Sequence, residues 1–256
     1  MNSITGSVHV RWRFNALYTG RDFAERSGGE PLLVGWLPMA PETHRLVVPR
    51  AARFFTLGNL ERDLENVWML CHGYSQLASE FLEKAEALAS ETTLLVAPEA
   101  LSRFYHEDHQ KVGASWMTRE DRLAEIEDYV RYLDLVYDHL FAIVSRETVR
   151  LRLLGFSQGA ATAARWAVRG RAKIDELVLW GSSLPPEIED ESSMARLREM
   201  QLTVVSGTRD PFLDDSEREV QRARLVRHGL TFEELRFEGG HRLDDDRLRH
   251  LANRSR

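Results

Sequence analysis

The sequence predicts an α/β protein: a doubly wound, mostly parallel sheet flanked by helices. Three observations carry this. From about residue 65 onward, short apolar β-like runs alternate with amphipathic helical stretches. Those runs are almost continuously apolar, as strands covered on both faces must be. In the longest helical stretch Ile126, Val130, Leu133, Val136 and Leu140 recur at steps of four, three, three and four, which draws one apolar stripe along a helix.

Taken in order, Val67–Cys71, Thr93–Ala97, Leu151–Gly155, Glu176–Trp180, Leu202–Ser206 and Glu233–Phe237 read as strands. Glu80–Ser90, Arg119–Val144, Ala160–Gly170, Ser192–Met200 and Asp215–His228 read as the helices between them. A last helix begins near Asp244, with Asp244–Asp246 set against its dipole. The run from Arg119 to Arg122 reads as the cap and solvated start of the long helix. Before residue 65 the pattern changes. Ser7–Phe14 and Ala52–Leu57 are candidate antiparallel edge strands, with Pro31, Pro38, Pro41 and Pro49 between them. Residues 1–38 are expected to be a poorly ordered or accessory extension, and Met39 heads a more ordinary stretch. Residues 39–256 are then one α/β domain.

Composition narrows the class. At 256 residues and 43% apolar, the chain can bury one sizeable core. A net charge of -6, with no block of Lys or Arg, gives no nucleic-acid footprint. The single cysteine, Cys71, excludes an intramolecular disulfide and fits a reducing compartment. No apolar run approaches the roughly 18 residues of a membrane span, and the first residues lack an apolar signal core. A cytoplasmic location is the expectation.

The most informative segment is Leu151–Ala164, LRLLGFSQGAATAA, where Gly155, Ser157 and Gly159 spell GxSxG between a strand and an Ala-rich helix. A nucleophile on so tight a strand-to-helix turn adopts strained backbone angles, and glycine two residues to either side relieves the clash. The turn would lift the serine oxygen above the sheet edge, with the amide of Gln158 aimed at a developing oxyanion. Val67–Cys71 runs into His72-Gly73-Tyr74-Ser75-Gln76, the place for a second oxyanion donor, the amide of Tyr74. His72 reads either as a catalytic base or, better, as a brace of this loop. Cys71 has no elbow around it and reads as a small buried hydrophobe.

After Ser157 the order expected in such a fold is an acid and then a histidine. Leu202–Ser206 opens into Gly207-Thr208-Arg209-Asp210-Pro211-Phe212, and Asp210 is the preferred acid. Its rivals, Asp214 and Asp215, look more like N-capping residues of the next helix. Glu233–Phe237 ends in Glu238-Gly239-Gly240-His241, and His241 is the candidate base.

Together LGFSQGAA, CHGYSQ, GTRDPF and the terminal GGH resemble the carboxylesterase, lysophospholipase and acyl-protein thioesterase group of α/β hydrolases, from about residue 65 to residue 250. The resemblance implies a small esterase without a large cap domain, acting on carboxylic esters or thioesters, with Ser157, Asp210 and His241 as triad and Tyr74 and Gln158 as oxyanion donors. Two departures stand out. Ser75 occupies a position that is commonly glycine in that group, and Leu101–Glu120 differs from the acyl-protein thioesterases.

Leu101–Glu120 should lie over the active-site face. Its aromatics Phe104, Tyr105 and Trp116 are either an acyl-pocket wall or a packed loop, and Phe212 and His72 join the candidates for substrate contact. His106-Glu107-Asp108-His109 invites a metal reading, but four adjacent polar residues rarely converge on one ion, and a solvated loop is preferred. No cofactor or metal is expected. The expected partner is a small acyl ester or thioester, with no nucleic acid and no membrane span, and the oligomeric state does not follow from the sequence. Acyl transfer, peptide-bond cleavage by the same triad, or a binding module that has lost catalysis are the competing functions.

Overall fold

The structure is a computed structural model in which residues 42–60 and 62–254 are described. The chain divides into two units, Met1–Pro49 and Arg50–Arg256. Of the first, residues 42–49 are described and form neither helix nor strand. The expectations for residues 1–38, including a strand at Ser7–Phe14, lie outside the described residues.

The second unit runs β1 (Phe54–Leu57), β2 (Asn66–Cys71), α1 (Ala78–Lys84), β3 (Thr93–Pro98), β4 (Ser102–Tyr105), β5 (Val112–Ser115), α2 (Arg122–Phe141), β6 (Arg150–Phe156) and α3 (Gln158–Arg169). It continues with β7 (Glu176–Trp180), α4 (Glu191–Arg198), β8 (Gln201–Gly207), α5 (Asp215–Arg227), β9 (Phe232–Phe237) and α6 (Asp245–Ala252). The strands expected from residue 52 onward all form, within one or two residues of their predicted bounds. The expected helix Glu80–Ser90 forms as α1 followed by a 3₁₀ turn at Glu86–Leu88.

Among the described residues, seven strands form one sheet in the order β1-β3-β2-β6-β7-β8-β9, parallel except for β1, which pairs antiparallel with β3 at the edge. The chain moves outward from β2 to β3 and then returns to the other side of β2 as β6. The switch of direction therefore falls between β2 and β6, where open α/β sheets form their ligand crevice. Register brings the strand ends level. Cys71 pairs with Gly155, Phe156 with Trp180, Trp180 with Val205, and Gly207 with Phe237. The loops after β2, β6, β7, β8 and β9 consequently emerge at one edge.

Strand alternation sorts the core into two layers. Val67, Met69, Leu151 and Leu153 face Ile126, Tyr129, Leu133, Ala163, Trp166 and Leu197 of α2, α3 and α4. Trp68, Leu70, Leu154 and Trp180 face Phe81, Leu82, Leu248 and Leu251 of α1 and α6. The tryptophans bring polar handles with them: Trp166 Nε1 donates to Asp134 Oδ1 (2.9 Å) and Trp180 Nε1 to the carbonyl of Arg242 (2.9 Å).

Two local expectations need correction. The stretch Leu101–Glu120 is not a long loop: β4 and β5 pair as an antiparallel hairpin, Ser102 opposite Ser115 and Tyr105 opposite Val112. Four-residue strands are too short to show a period. The start of α2 is not capped by the side chain of its N-cap residue, Asp121, whose φ is 47°. Glu125, one turn inside the helix, instead accepts hydrogen bonds from the amide and hydroxyl of Thr118.

Candidate active site

Ser157 sits between the last residue of β6 and the first of α3 with φ 55° and ψ -120°. A non-glycine residue held there costs on the order of 1–3 kcal/mol, and surrounding structure must enforce it. Its amide donates to the carbonyl of Trp180 on β7 (2.8 Å), which ties the turn to the next strand. The flanking glycines are required by contact. A Cβ on Gly155 would meet the carbonyl oxygen of Gly159 at 2.2 Å, and one on Gly159 would meet that of Cys71 at 2.0 Å. The elbow is thus pressed against the end of β2, where the His72–Gln76 loop begins.

The loops that carry Asp210 and His241 are laced together in the same way. Thr208 N donates to the carbonyl of Phe237 (2.9 Å) and Arg209 N to that of Gly239 (2.8 Å). A Cβ on Gly207 would strike the carbonyl oxygens of Gly239 and Gly240 at 2.4 and 2.5 Å, so glycine is what lets β8 and β9 release their loops side by side. Between them Asp210 Oδ2 accepts from His241 Nδ1 at 2.8 Å, while Asp210 Oδ1 accepts the amide of Phe212 at 2.9 Å. The carboxylate is buried and the imidazole partly exposed. With Nδ1 donating, Nε2 is the ring atom left to act as a base. Phe156 and Phe212 hold the ring from two sides, with centroids 4.7 and 4.8 Å away. Among the described residues Ser157 Oγ makes no hydrogen bond; such contacts often tighten only when substrate is bound.

The structure brings Ser157, Asp210 and His241 to one sheet edge, and places Asp214 elsewhere, in a capping box at the start of α5. Gly181, just after β7, is a neighbour that the sequence did not single out. Its φ is +63°, and a Cβ would lie 3.0 Å from His241 Cε1 and 3.4 Å from Asp210 Oδ2. A glycine directly after an apolar strand was the available signal.

Tyr74 follows β2, and among the described residues no group accepts from its amide. The amide of Gln158 opens α3, where the first amides have no intrahelical acceptor. The Gln158 side chain is occupied otherwise. Its Oε1 accepts from Trp116 N (3.0 Å), and its Nε2 donates to the carbonyl of Met117 (2.8 Å). Gly73 N donates to Gln76 Oε1 at 2.8 Å, closing the loop that carries Tyr74.

Two residues named for substrate contact turn inward. His72 is fully buried; its Nδ1 bonds the carbonyl of Gly73 (2.8 Å), and its Nε2 accepts from Ala100 N (3.0 Å). Burial lowers its pKa to about 4, so it stays neutral and braces the loop. Trp116 is also buried and donates from Nε1 to the carbonyl of His72 (2.8 Å). Tyr105 and Phe104 alternate across β4. Tyr105 is exposed and meets His109, whereas Phe104 stacks on Tyr74 with centroids 5.3 Å apart. Phe212 is exposed beside His241. Cys71 is fully buried, and burial pushes its thiol up, away from nucleophilic reach at neutral pH.

Among the described residues no group of three or more His, Cys, Asp or Glu side chains is placed to hold a metal ion, and no helix is long and apolar enough to cross a membrane. A cavity of about 10 Å³, room for roughly one water, lies between β8, β9 and α5, lined in part by Val204, Leu213, Leu225 and Phe232.

The strand order, the serine elbow after β6, and the acid and histidine loops after β8 and β9 define an α/β-hydrolase fold. No protein-family profile and no curated protein matches the sequence. Solved structures do match in fold. Acyl-protein thioesterase 2 of Zea mays superposes with a TM-score of 0.62 at 15% identity, covering 79% of this chain and 96% of its own. Esterase PE8 gives 0.61 at 20% identity, covering 78% and 96%. A carboxylesterase of Bacillus cereus gives 0.57 at 15% identity, covering 78% and 92%.

Proposed function

We propose that this chain is a serine hydrolase that cleaves small carboxylic esters, with thioesters as substrates of the same mechanism. The observation that carries the reading is the 2.8 Å Asp210–His241 hydrogen bond standing at the same sheet edge as a strained serine elbow. Ser157 Oγ attacks the acyl carbon while His241 Nε2 takes its proton; the proton then passes to the leaving alcohol or thiol. Water, deprotonated by the same imidazole, releases the acid from the acyl-enzyme and restores Ser157. Asp210 holds the tautomer and stabilises the imidazolium without taking the proton. The amides of Tyr74 and Gln158 receive the oxyanion, and Phe104 and Phe212 offer apolar surface to the substrate. The fold of the thioesterase and esterase structures supports this choice of chemistry, and the loops of this chain supply its residues.

The test is hydrolysis of p-nitrophenyl esters of increasing acyl length, with thioesters alongside and covalent labelling by a fluorophosphonate. Wild type should turn over and be labelled. Ser157→Ala should lose labelling and fall on the order of a million-fold in turnover. Equal inertness of wild type and variant towards esters, thioesters and probe would sink the proposal and favour a binding role.

A further inference from the structure

We propose that His106, at the end of β4, positions the oxyanion loop by holding Ser75 in a left-handed conformation, and so keeps the Tyr74 amide aimed at the reacting carbonyl. The inference rests on the serine-hydrolase reading above. It begins with a backbone anomaly: Ser75 has φ 68°. Glycine takes that conformation without a Cβ clash, whereas an L-residue such as serine gives up roughly 1–2 kcal/mol. Something must enforce it, and the β4–β5 hairpin is built to do so.

Ser75 Oγ and His106 Nε2 share a hydrogen bond of 3.1 Å. Ser75 N donates to the carbonyl of Ala114 on β5 (2.9 Å), and Ala114 N returns a bond to the carbonyl of Gln76 (3.3 Å). A Cβ on Gly113 would lie 2.8 Å from the Ser75 carbonyl oxygen and 3.0 Å from His106 Nε2, so the hairpin rests directly on this residue. His106 is itself fixed by its main chain, its amide donating to the carbonyl of Lys111 (2.9 Å) and its carbonyl accepting from His109 N (2.8 Å). The stack of Phe104 on Tyr74 adds a contact one residue away.

The geometry gives the clamp a consequence. The Tyr74 amide lies between two anchors, the Gly73–Gln76 bond on one side and Ser75 on the other. Releasing Ser75 lets it relax to negative φ and turns the peptide units beside Tyr74. His106 acts through its bond to Ser75, so it is a positioning residue.

The experiment compares wild type, His106→Ala, His106→Gln, Ser75→Gly and the Ser75→Gly/His106→Ala double variant in ester hydrolysis and in the rate of fluorophosphonate labelling of Ser157. Melting temperatures establish that each is folded. His106→Ala should lower kcat and the labelling rate on the order of tenfold, less than the loss of a whole donor, with KM little changed. His106→Gln, which keeps a hydrogen-bonding group, should retain more activity. The double variant should recover most of the loss, because glycine needs no clamp. Unchanged kcat in a folded His106→Ala, or failure of Ser75→Gly to suppress its defect, overturns the proposal. Amide exchange at residues 73–76 reads the clamp without substrate: it should quicken in His106→Ala. Unchanged exchange there overturns the clamp even if wild type is active, whereas an inert, unlabelled wild type with quickened exchange overturns only the hydrolase reading.

Discussion

Gly159 has no room for a side chain, and the reason lies in tertiary contact: the carbonyl oxygens of Cys71 and His72 would stand 2.0 and 2.5 Å from its Cβ. The same contact joins the Ser157 turn to the His72–Gln76 loop, so the spacing GxSxG encodes an inter-strand fit as well as a turn. His72 illustrates how a residue type suggestive of catalysis can be structural. Buried and held neutral with a pKa of about 4, it binds fewer protons in the folded state than an exposed histidine does in the unfolded chain. Between pH 6.5 and about 4 the unfolded state therefore takes up the extra proton, and stability must fall as pH falls, by at most about 1.4 kcal/mol per pH unit from this group. Urea unfolding at pH 7 and pH 5 should show that loss in wild type. It should be smaller in His72→Gln, and an equal loss in both proteins would assign the acid sensitivity to other groups.

At the scale of elements, the helices bear out sequence rules where the signal is local. Asp214 accepts from Glu217 N (2.8 Å), and the Glu217 side chain accepts from Asp214 N (3.2 Å), a reciprocal box at the start of α5. Asp244 plays the N-cap part for α6, accepting from Arg247 N. Asp214→Ala should cost about 1 kcal/mol and lower Tm by roughly 2–4 °C in a domain of this size. Differential scanning calorimetry checks this, and no change would mean that α5 is held by packing alone. The β4–β5 hairpin is the element that local rules missed. Its strands have four residues each, and its ladder is completed only where it meets Gln76 in the loop after β2.

Across the whole molecule, the two ends of the sheet do different work. The carboxyl edge collects the serine, acid and histidine loops. Toward the amino edge lies a buried charge network: Glu176 receives Arg152 (2.8 Å), Arg150 (3.1 Å) and Arg254 (3.0 Å). Arg152 also lies over the Trp68 ring at 4.0 Å and donates to the carbonyl of Leu251, tying α6 to the sheet. Arg152 and Glu176 are fully buried, so removing the carboxylate takes from the Arg152 guanidinium its buried counter-charge. Glu176→Leu should cost about 3–5 kcal/mol of stability while the folded fraction keeps its specific activity. Denaturant unfolding read beside ester hydrolysis tests this, and a loss of kcat in fully folded protein would show that the two ends are coupled.

Much of the protein was legible in the chain itself. Apolar periodicity determined the alternation of strands and helices, because burial on one face or both is written directly into residue spacing. The placement of the Ser157 turn and of the Asp210 and His241 loops was legible for a related reason: each is a short motif at the end of a strand, and parallel strands in a common register deliver their ends to one edge. Tertiary structure alone decided what depends on residues far apart in sequence. It turned His72 and Trp116 inward as braces and set Gly181 beneath the Asp210–His241 pair. It also laid His106 on Ser75, 31 residues away. Such contacts have no period and no local motif, because they are created when the sheet edge gathers its loops and leaves each side chain only the space its neighbours allow.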